Sequence, residues 1–198
     1  MVEAEEETVE MRYAAEHNDE TRGRIVAAAS RLFRQHGIAA VGLAKIMAEA
    51  DLTVGTFYTH FKSKEALLQE ALHQARNEHL EQALRAGDLE LTIRTYLSPG
   101  HRDFAGGGCP AAALASEVAR HPRATRQKFT NNLEPRIDTI AELLSARRGK
   151  KVGRAEAAAF FGLLAGTLQL ARATPERAES DAILEAGVRA ALRLATSA

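Results

Sequence analysis

The segment TVGTFYTHFKSK, Thr53 to Lys64, crowds three threonines, a tyrosine, a histidine, two phenylalanines and two lysines into twelve residues of a chain with few other aromatics. Such a set either plugs a small core or forms a surface that grips a partner. The second group able to do chemistry is the thiol of Cys109, the sole cysteine, set between GGG and Pro110. The seven histidines, at 17, 36, 60, 73, 79, 101 and 121, form no His-Glu-x-x-His. Cys109 has no assignable His and Asn or Asp partners for nucleophilic catalysis. GGGC follows no strand, so it is a poor nucleotide loop, and a metal held by Cys109 and His101 lacks further ligands. No catalytic residue, metal or cofactor is therefore expected, and an enzyme is not the favoured class.

Charge is distributed unevenly although the net formal charge is zero. Residues 1–20 carry eight acidic side chains against Arg12 alone, whereas residues 21–64 carry seven basic against two acidic ones. A basic block in a neutral chain marks either a solvated helix surface or one positive face for a polyanion. The 198 residues suffice for a buried core. The longest apolar run, AAAFFGLLAGTL at 157–168, is too short to span a bilayer, and the acidic start lacks a signal-peptide layout. A single cysteine fits a reducing compartment, so no membrane and a cytoplasmic location are expected.

The elements that position these groups all read as helices, with Ala, Leu, Glu and Arg dominating and no sustained β alternation. The spacing predicts a helix over about 20–36, capped by Asp19 and ended by Gly37, and a second over 43–50. A third follows Thr53 and ends near Phe61, and a long fourth follows Ser63 with an inner face that includes Leu67, Leu68, Ala71, Leu72 and Ala75. Further helices are expected at about 89–97, from Pro110, at about 123–148 with a bend at Pro135, at 154–172 and at about 179–196. The fold class is all-α with about nine helices: an acidic, disordered tail over 1–18, a helix-turn-helix unit over 19–64, and a larger helical part over 65–198.

On the third helix Phe57 and Phe61 point to one side with Val54 beside them, while Gly55, Thr56 and Thr59 point to the other, flanked by Tyr58 and His60. The aromatics thus divide between a core side and an open side. From TRGRIVAAASRLFRQHG through LTVGTFYTHFKSKEALL, residues 21–68 resemble the DNA-binding domain of the TetR family of transcriptional repressors. The spacing of Phe33, Gly37, Ile46, Ala50, Leu52, Phe57, Tyr58, Phe61 and Lys64 carries the likeness.

That resemblance implies a homodimer that places two recognition helices in successive major grooves of a palindromic double-stranded DNA operator, about 34–36 Å apart. It also implies an effector-binding C-terminal part whose ligand releases the DNA. By it, Thr53, Val54, Gly55, Thr56 and Thr59 lie near bases and phosphates, and Tyr58, His60, Lys64 and, more weakly, Lys45 and Arg24 lie near phosphate. Three positions depart from the family pattern. Val41-Gly42 stands where a hydroxyl residue caps the second helix, Met47 where a small residue is usual, and Asp51 where the turn carries Gly. The third helix has no Arg, Asn or Gln for bidentate base contacts, so specificity would rest on threonine hydroxyls, methyl contact and DNA shape.

The resemblance further implies a dimer interface in the last two helices, assigned to Phe160, Phe161, Leu164, Leu168, Ile183, Val188 and Ala191. An effector region is expected around Tyr96, His101, Phe104, Cys109, Leu114, Glu117 and Phe129. Cys109 before Pro110 reads either as a sensor thiolate at a helix N-terminus, answering an oxidant or electrophile, or as a small buried side chain lining a pocket for an uncharged small molecule. The competing reading of the whole is a helical protein–protein adaptor without sequence-specific DNA binding. It leaves the basic unit and its matched spacing unexplained.

Overall fold

A computed structural model describes the backbone of residues 2–197 and the side chains of residues 18–197. Among the described residues the chain is all helical. In order come α1 (Val2–His36), α2 (Leu43–Glu49), α3 (Val54–His60), α4 (Lys64–Gln74), α5 (Glu78–Arg85) and α6 (Leu89–Tyr96). A short α7 (Pro99–Asp103) and a 3-10 turn (Ala105–Gly107) lead to α8 (Pro110–Val118), α9 (Arg123–Arg148), α10 (Arg154–Ala173) and α11 (Arg177–Thr196).

Several terminators act as expected from their residue types. Gly37 and Gly149 take φ of 85° and 66° at the ends of α1 and α9, the left-handed conformation that glycine adopts at least cost. The Ser63 hydroxyl accepts from the Ala66 amide at 3.1 Å and caps α4. Pro110 occupies the first turn of α8, where its missing N–H is no loss.

Three expectations need correction. The first helix runs from Val2, so Asp19 lies inside it and caps nothing, and the stretch taken as a disordered tail has helical backbone from Val2 on. The acidic side chains from Glu3 to Glu16 lie outside the described residues. The long fourth helix is two helices, because Ala75 leaves helical geometry with ψ of 117° and Asn77 caps α5 by accepting from the Leu80 amide at 3.0 Å. The loop expected over 98–110 contains α7, capped by Ser98 accepting from the His101 amide.

Two hydrophobic cores organise the molecule. The first joins Ile25, Ala29, Leu32 and Phe33 of α1 with Ile46, Met47, Phe57, Phe61, Leu67 and Leu68, and takes in Leu114 and Val118 from α8. The second joins α5, α6, α9, α10 and α11 around Tyr96, Ile140, Phe160, Phe161, Leu164 and Leu168. Phe129 packs against both. The DNA-reading candidate and the larger helical part therefore share α8 and α9 as a common wall.

Candidate nucleic-acid interface

The open and closed sides of α3 follow directly from its seven residues. Phe57 is fully buried and stacks on Phe61 with ring centroids 5.7 Å apart and planes at 23°. Tyr58 meets the edge of Phe57 at 5.2 Å, yet is itself 67% exposed. Thr53, Val54, Gly55 and Thr59 are exposed, as is Lys45 on α2, while Thr56 and His60 are half-buried. A side chain at Gly55 would meet only the Thr53 hydroxyl, at an ordinary 3.7 Å, so internal packing does not require glycine there. What glycine provides at this place is clearance on the outer side.

Hydroxyl groups on this face are partly committed to one another. Thr59 donates to the Thr56 carbonyl at 2.7 Å, and the Thr53 and Thr56 hydroxyls lie 3.1 Å apart. Thr53 precedes α3 in an extended conformation but makes no side-chain cap bond.

Two arginines of the basic segment hold the unit together from within. Arg22 donates to the His60 carbonyl at 2.5 Å, pairs with the Glu70 carboxylate and lies 4.2 Å over the Phe61 ring. It thereby ties the end of α3 to α1 and α4. Arg24, a candidate for the DNA backbone by resemblance, donates to the Ala50 carbonyl at 2.5 Å and closes α2 instead. Arg31 pairs with Glu49. Lys64 turns its ammonium inward, donating to the Ile38 carbonyl at 2.7 Å and approaching the Phe33 ring at 5.7 Å. Lys62, which the sequence reading did not single out, is exposed in the turn just after α3. Its signal was its place between two capping elements of an otherwise matched segment.

The three departures from the family pattern have visible consequences. Gly42 precedes α2 with no side-chain cap bond. Asp51 takes φ of 56°, the left-handed conformation that Gly occupies more freely. Met47 is fully buried and fills the space its size demands.

The residues expected around an effector separate into distinct places. His101 accepts from the Cys109 amide through Nε2 at 2.9 Å, so its Nδ1 carries the proton and donates to the Tyr96 carbonyl at 2.7 Å. Burial pushes the His101 imidazole down to about 4, with Arg172 and Arg34 acting in the same sense against the Tyr96 carbonyl, so the ring is neutral at ordinary pH. Tyr96 and Cys109 are fully buried, and burial first, then Cys109, pushes the Tyr96 phenol well up. A cavity of about 890 Å³ opens between the α4–α5 break, α6 and α7. His101 and Phe104 line it, whereas Tyr96, Cys109, Leu114, Glu117 and Phe129 do not.

Glu117 serves elsewhere. Its carboxylate accepts from the Ile38 and Ala39 amides at 2.9 and 3.2 Å, which fixes the turn between α1 and α2 from α8. A Cβ at Gly37 would stand 2.8 Å from that carboxylate, so the approach depends on glycine. Arg34 makes the second link across the two parts. Its Nη1 donates to the Arg76 carbonyl at 2.9 Å and the Gly108 carbonyl at 2.7 Å, and burial lowers the guanidinium to about 10, which leaves it protonated.

The dimer residues assigned from the sequence are packed within the single chain. Phe160, Phe161, Leu164, Leu168, Val188 and Ala191 belong to the second core of the same chain, and Ile183 packs against it half-buried. The outer side of α10 carries exposed Ala159, Gly162 and Leu170, the last 64% exposed, with half-buried Leu163, which also packs against the second core, and half-buried Gly166 between them. Nothing lies within 4 Å of a Cβ placed on Gly162 or Gly166, so this stripe is flat and open. Among the described residues no helix is long and apolar enough to cross a membrane, and no group of three His, Cys, Asp or Glu could hold a metal ion.

Comparison with known proteins bears on both parts. Residues 25–71 match the sequence pattern of the bacterial regulatory proteins of the tetR family. The HTH-type transcriptional regulator TtgR of Pseudomonas putida is 37% identical over 81 residues, which are 39% of this chain and 38% of TtgR. The HTH-type regulator YerO of Bacillus subtilis is 45% identical over 53 residues, 27% of this chain and 18% of YerO. The matched stretches thus span well under half the length of these curated relatives. Over the whole fold, the TetR-family regulator SCO4454 from Streptomyces coelicolor superposes with a TM-score of 0.64 at 26% identity, covering 90% of this chain and 97% of that one. Reduced Escherichia coli NemR superposes with a TM-score of 0.69 at 22% identity, covering 87% and 95%, a likeness of fold.

Proposed function

We propose that this chain, whose residues 25–71 match the bacterial regulatory proteins of the tetR family and whose fold superposes on the TetR-family regulator SCO4454, is a transcriptional repressor that binds a palindromic DNA operator as a homodimer and lets go when an effector binds its C-terminal part. The observation that carries this reading is the outer face of α3. Tyr58, Val54, Gly55 and Thr59 stand open there on a helix held rigidly by Phe57, Phe61 and Arg22. Packing alone explains the buried side and leaves the open side without a task.

Tyr58 and His60 supply phosphate contacts, with Lys45 and Lys62 adding charge at the rim, and Thr53, Thr56 and Gly55 let the backbone come close to the groove floor. Lys64 acts on this face through the turn it braces, with two further N–H donors left on its ammonium for phosphate. Dimerisation uses the small-residue stripe of α10 with the neighbouring face of α11, where Ala182 and Ala186 are exposed. The full burial of Cys109 favours a ligand-responsive over an oxidant-responsive regulator, since a thiol without solvent access meets an oxidant slowly. The protein works in the cytoplasm, where its DNA is.

The reading is tested by selecting bound fragments from genomic DNA with the purified chain. One short palindrome with half-sites a helical turn apart is the expected enrichment. Enrichment of no common sequence would favour the adaptor.

A further inference from the structure

The cavity beside the α4–α5 break has a volume of about 890 Å³, inside the roughly 300–1,000 Å³ range of small-molecule sites. Its wall is chemically uneven. Leu91 and Phe104 line it and stand 45% and 62% exposed, two large apolar side chains left facing solvent at one place. Arg76 and Arg94 line the same wall, two cationic residues against the single acidic one, Glu78. Arg94 is paired with Glu90 at 2.8 Å, but both are largely exposed, and water screens an exposed pair of this kind so that a ligand anion can compete for the guanidinium. Arg76 spends one nitrogen, Nη1, on the His73 and Ala75 carbonyls at 3.0 and 3.3 Å.

We propose that this cavity is a binding site for an amphiphilic organic anion, an acidic head on an apolar body, and that its occupancy loosens the link between the two parts of the chain. Leu91 and Phe104 cover the apolar body, and Arg76 and Arg94 meet the head with charge-assisted hydrogen bonds. The coupling runs through Arg34. Its Nη1 donates at once to the Arg76 carbonyl and the Gly108 carbonyl, so α1 grips both lips of the cavity, Arg76 on one side and the Gly107–Gly108 loop on the other. The loop sits tightly on α1 as well, because a Cβ at Gly106 would meet Arg31 at 3.0 Å. A head group that draws Arg76 outward separates the two carbonyls that Arg34 bridges, and α1 with the helices built on it is freed to shift.

The second half of this inference rests on the reading of the chain as a DNA-binding regulator; the binding site itself does not. The test is titration calorimetry of the full chain with decanoate and with decanol, in the parent and in Arg94→Gln and Phe104→Ser, followed by anisotropy on the selected operator with decanoate present. The expected result is decanoate binding that falls about tenfold in each variant, decanol binding at least tenfold more weakly, and a tenfold or greater fall in operator affinity on adding decanoate. Absence of decanoate binding, binding by both variants as tight as the parent's, decanol binding as tight as decanoate's, or an unchanged operator affinity would overturn the proposal. Decanoate binding as expected by a chain that enriches no DNA would sink the repressor reading and leave the site standing. Normal operator binding without decanoate binding would do the reverse.

Discussion

Leu164→Glu is expected to unfold the C-terminal part of the chain, whereas Leu170→Glu, six residues further along the same helix, is expected to leave it folded and convert a dimer to a monomer. Leu164 is 1% exposed and packed in the second core. Removing a buried leucine costs about 2–5 kcal/mol, and an unpaired carboxylate in its place adds several more. That sum approaches the whole stability of an ordinary domain, about 5–15 kcal/mol. Leu170 is 64% exposed, so its substitution costs the single chain little. In a dimer that buries the α10 stripe, however, the same change places like charges opposite each other across a two-fold axis. Thermal melts and light scattering separate the cases. A folded monomer from Leu164→Glu, with a dimeric Leu170→Glu, would return the interface to the inward positions first assigned from the sequence.

The second large effect divides two neighbours. Phe57→Ala is expected to lose about 3–5 kcal/mol of stability, because it empties a fully buried site that also supports the stacking on Phe61. Tyr58→Ala touches an exposed ring whose one aromatic contact is the edge of Phe57, and should change stability by about 0.5 kcal/mol or less. On the proposed function the order reverses once the folded fraction is accounted for. Tyr58→Ala should weaken operator binding about tenfold or more, the scale of a lost hydrogen bond to a charged phosphate. Urea melts and anisotropy titrations measure the two quantities. Equal operator binding by the parent and Tyr58→Ala would remove the phosphate contact assigned to this residue.

The division of α3 was legible because its buried and open residues differ in kind: two phenylalanines four apart on one side, and glycine, threonine and tyrosine on the other. The positive φ of Asp51 was legible only through the resemblance, which places the family's turn glycine at this position. The α4–α5 break was only half legible. Asn77 is a capping residue, but what stabilises the open ends lies far off in sequence. Arg136 and Asn132 of α9 both donate to the Ala75 carbonyl, Asn132 also reaches the His73 carbonyl, and Arg34 of α1 takes that of Arg76. Local propensity in residues 64–85 favours one continuous helix, and these distant side chains decide otherwise.

The inward and outward faces of α10 were hidden for a different physical reason. Helix α10 is apolar nearly all round, so period alone cannot say which face turns inward. Volume decides: Phe160, Phe161, Leu164 and Leu168 fill the core, and the small residues are left outside, where two flat surfaces can approach closely. The directions of Lys64 and Glu117 were equally hidden, since each is set by backbone groups of the α1–α2 turn that become available only in the folded chain.

The central claim is that the outer face of α3 reads DNA, and the affinity of Gly55→Glu for the selected operator tests it most directly. The new Cβ meets only the Thr53 hydroxyl at 3.7 Å, and replacing a helical glycine tends to raise helix stability by about 0.5–1 kcal/mol, so the fold should survive with an unchanged or slightly higher melting temperature. A carboxylate on that face would stand against the DNA backbone, and affinity should fall about a hundredfold or more. A stably folded Gly55→Glu protein that binds the operator as tightly as the parent would contradict the account.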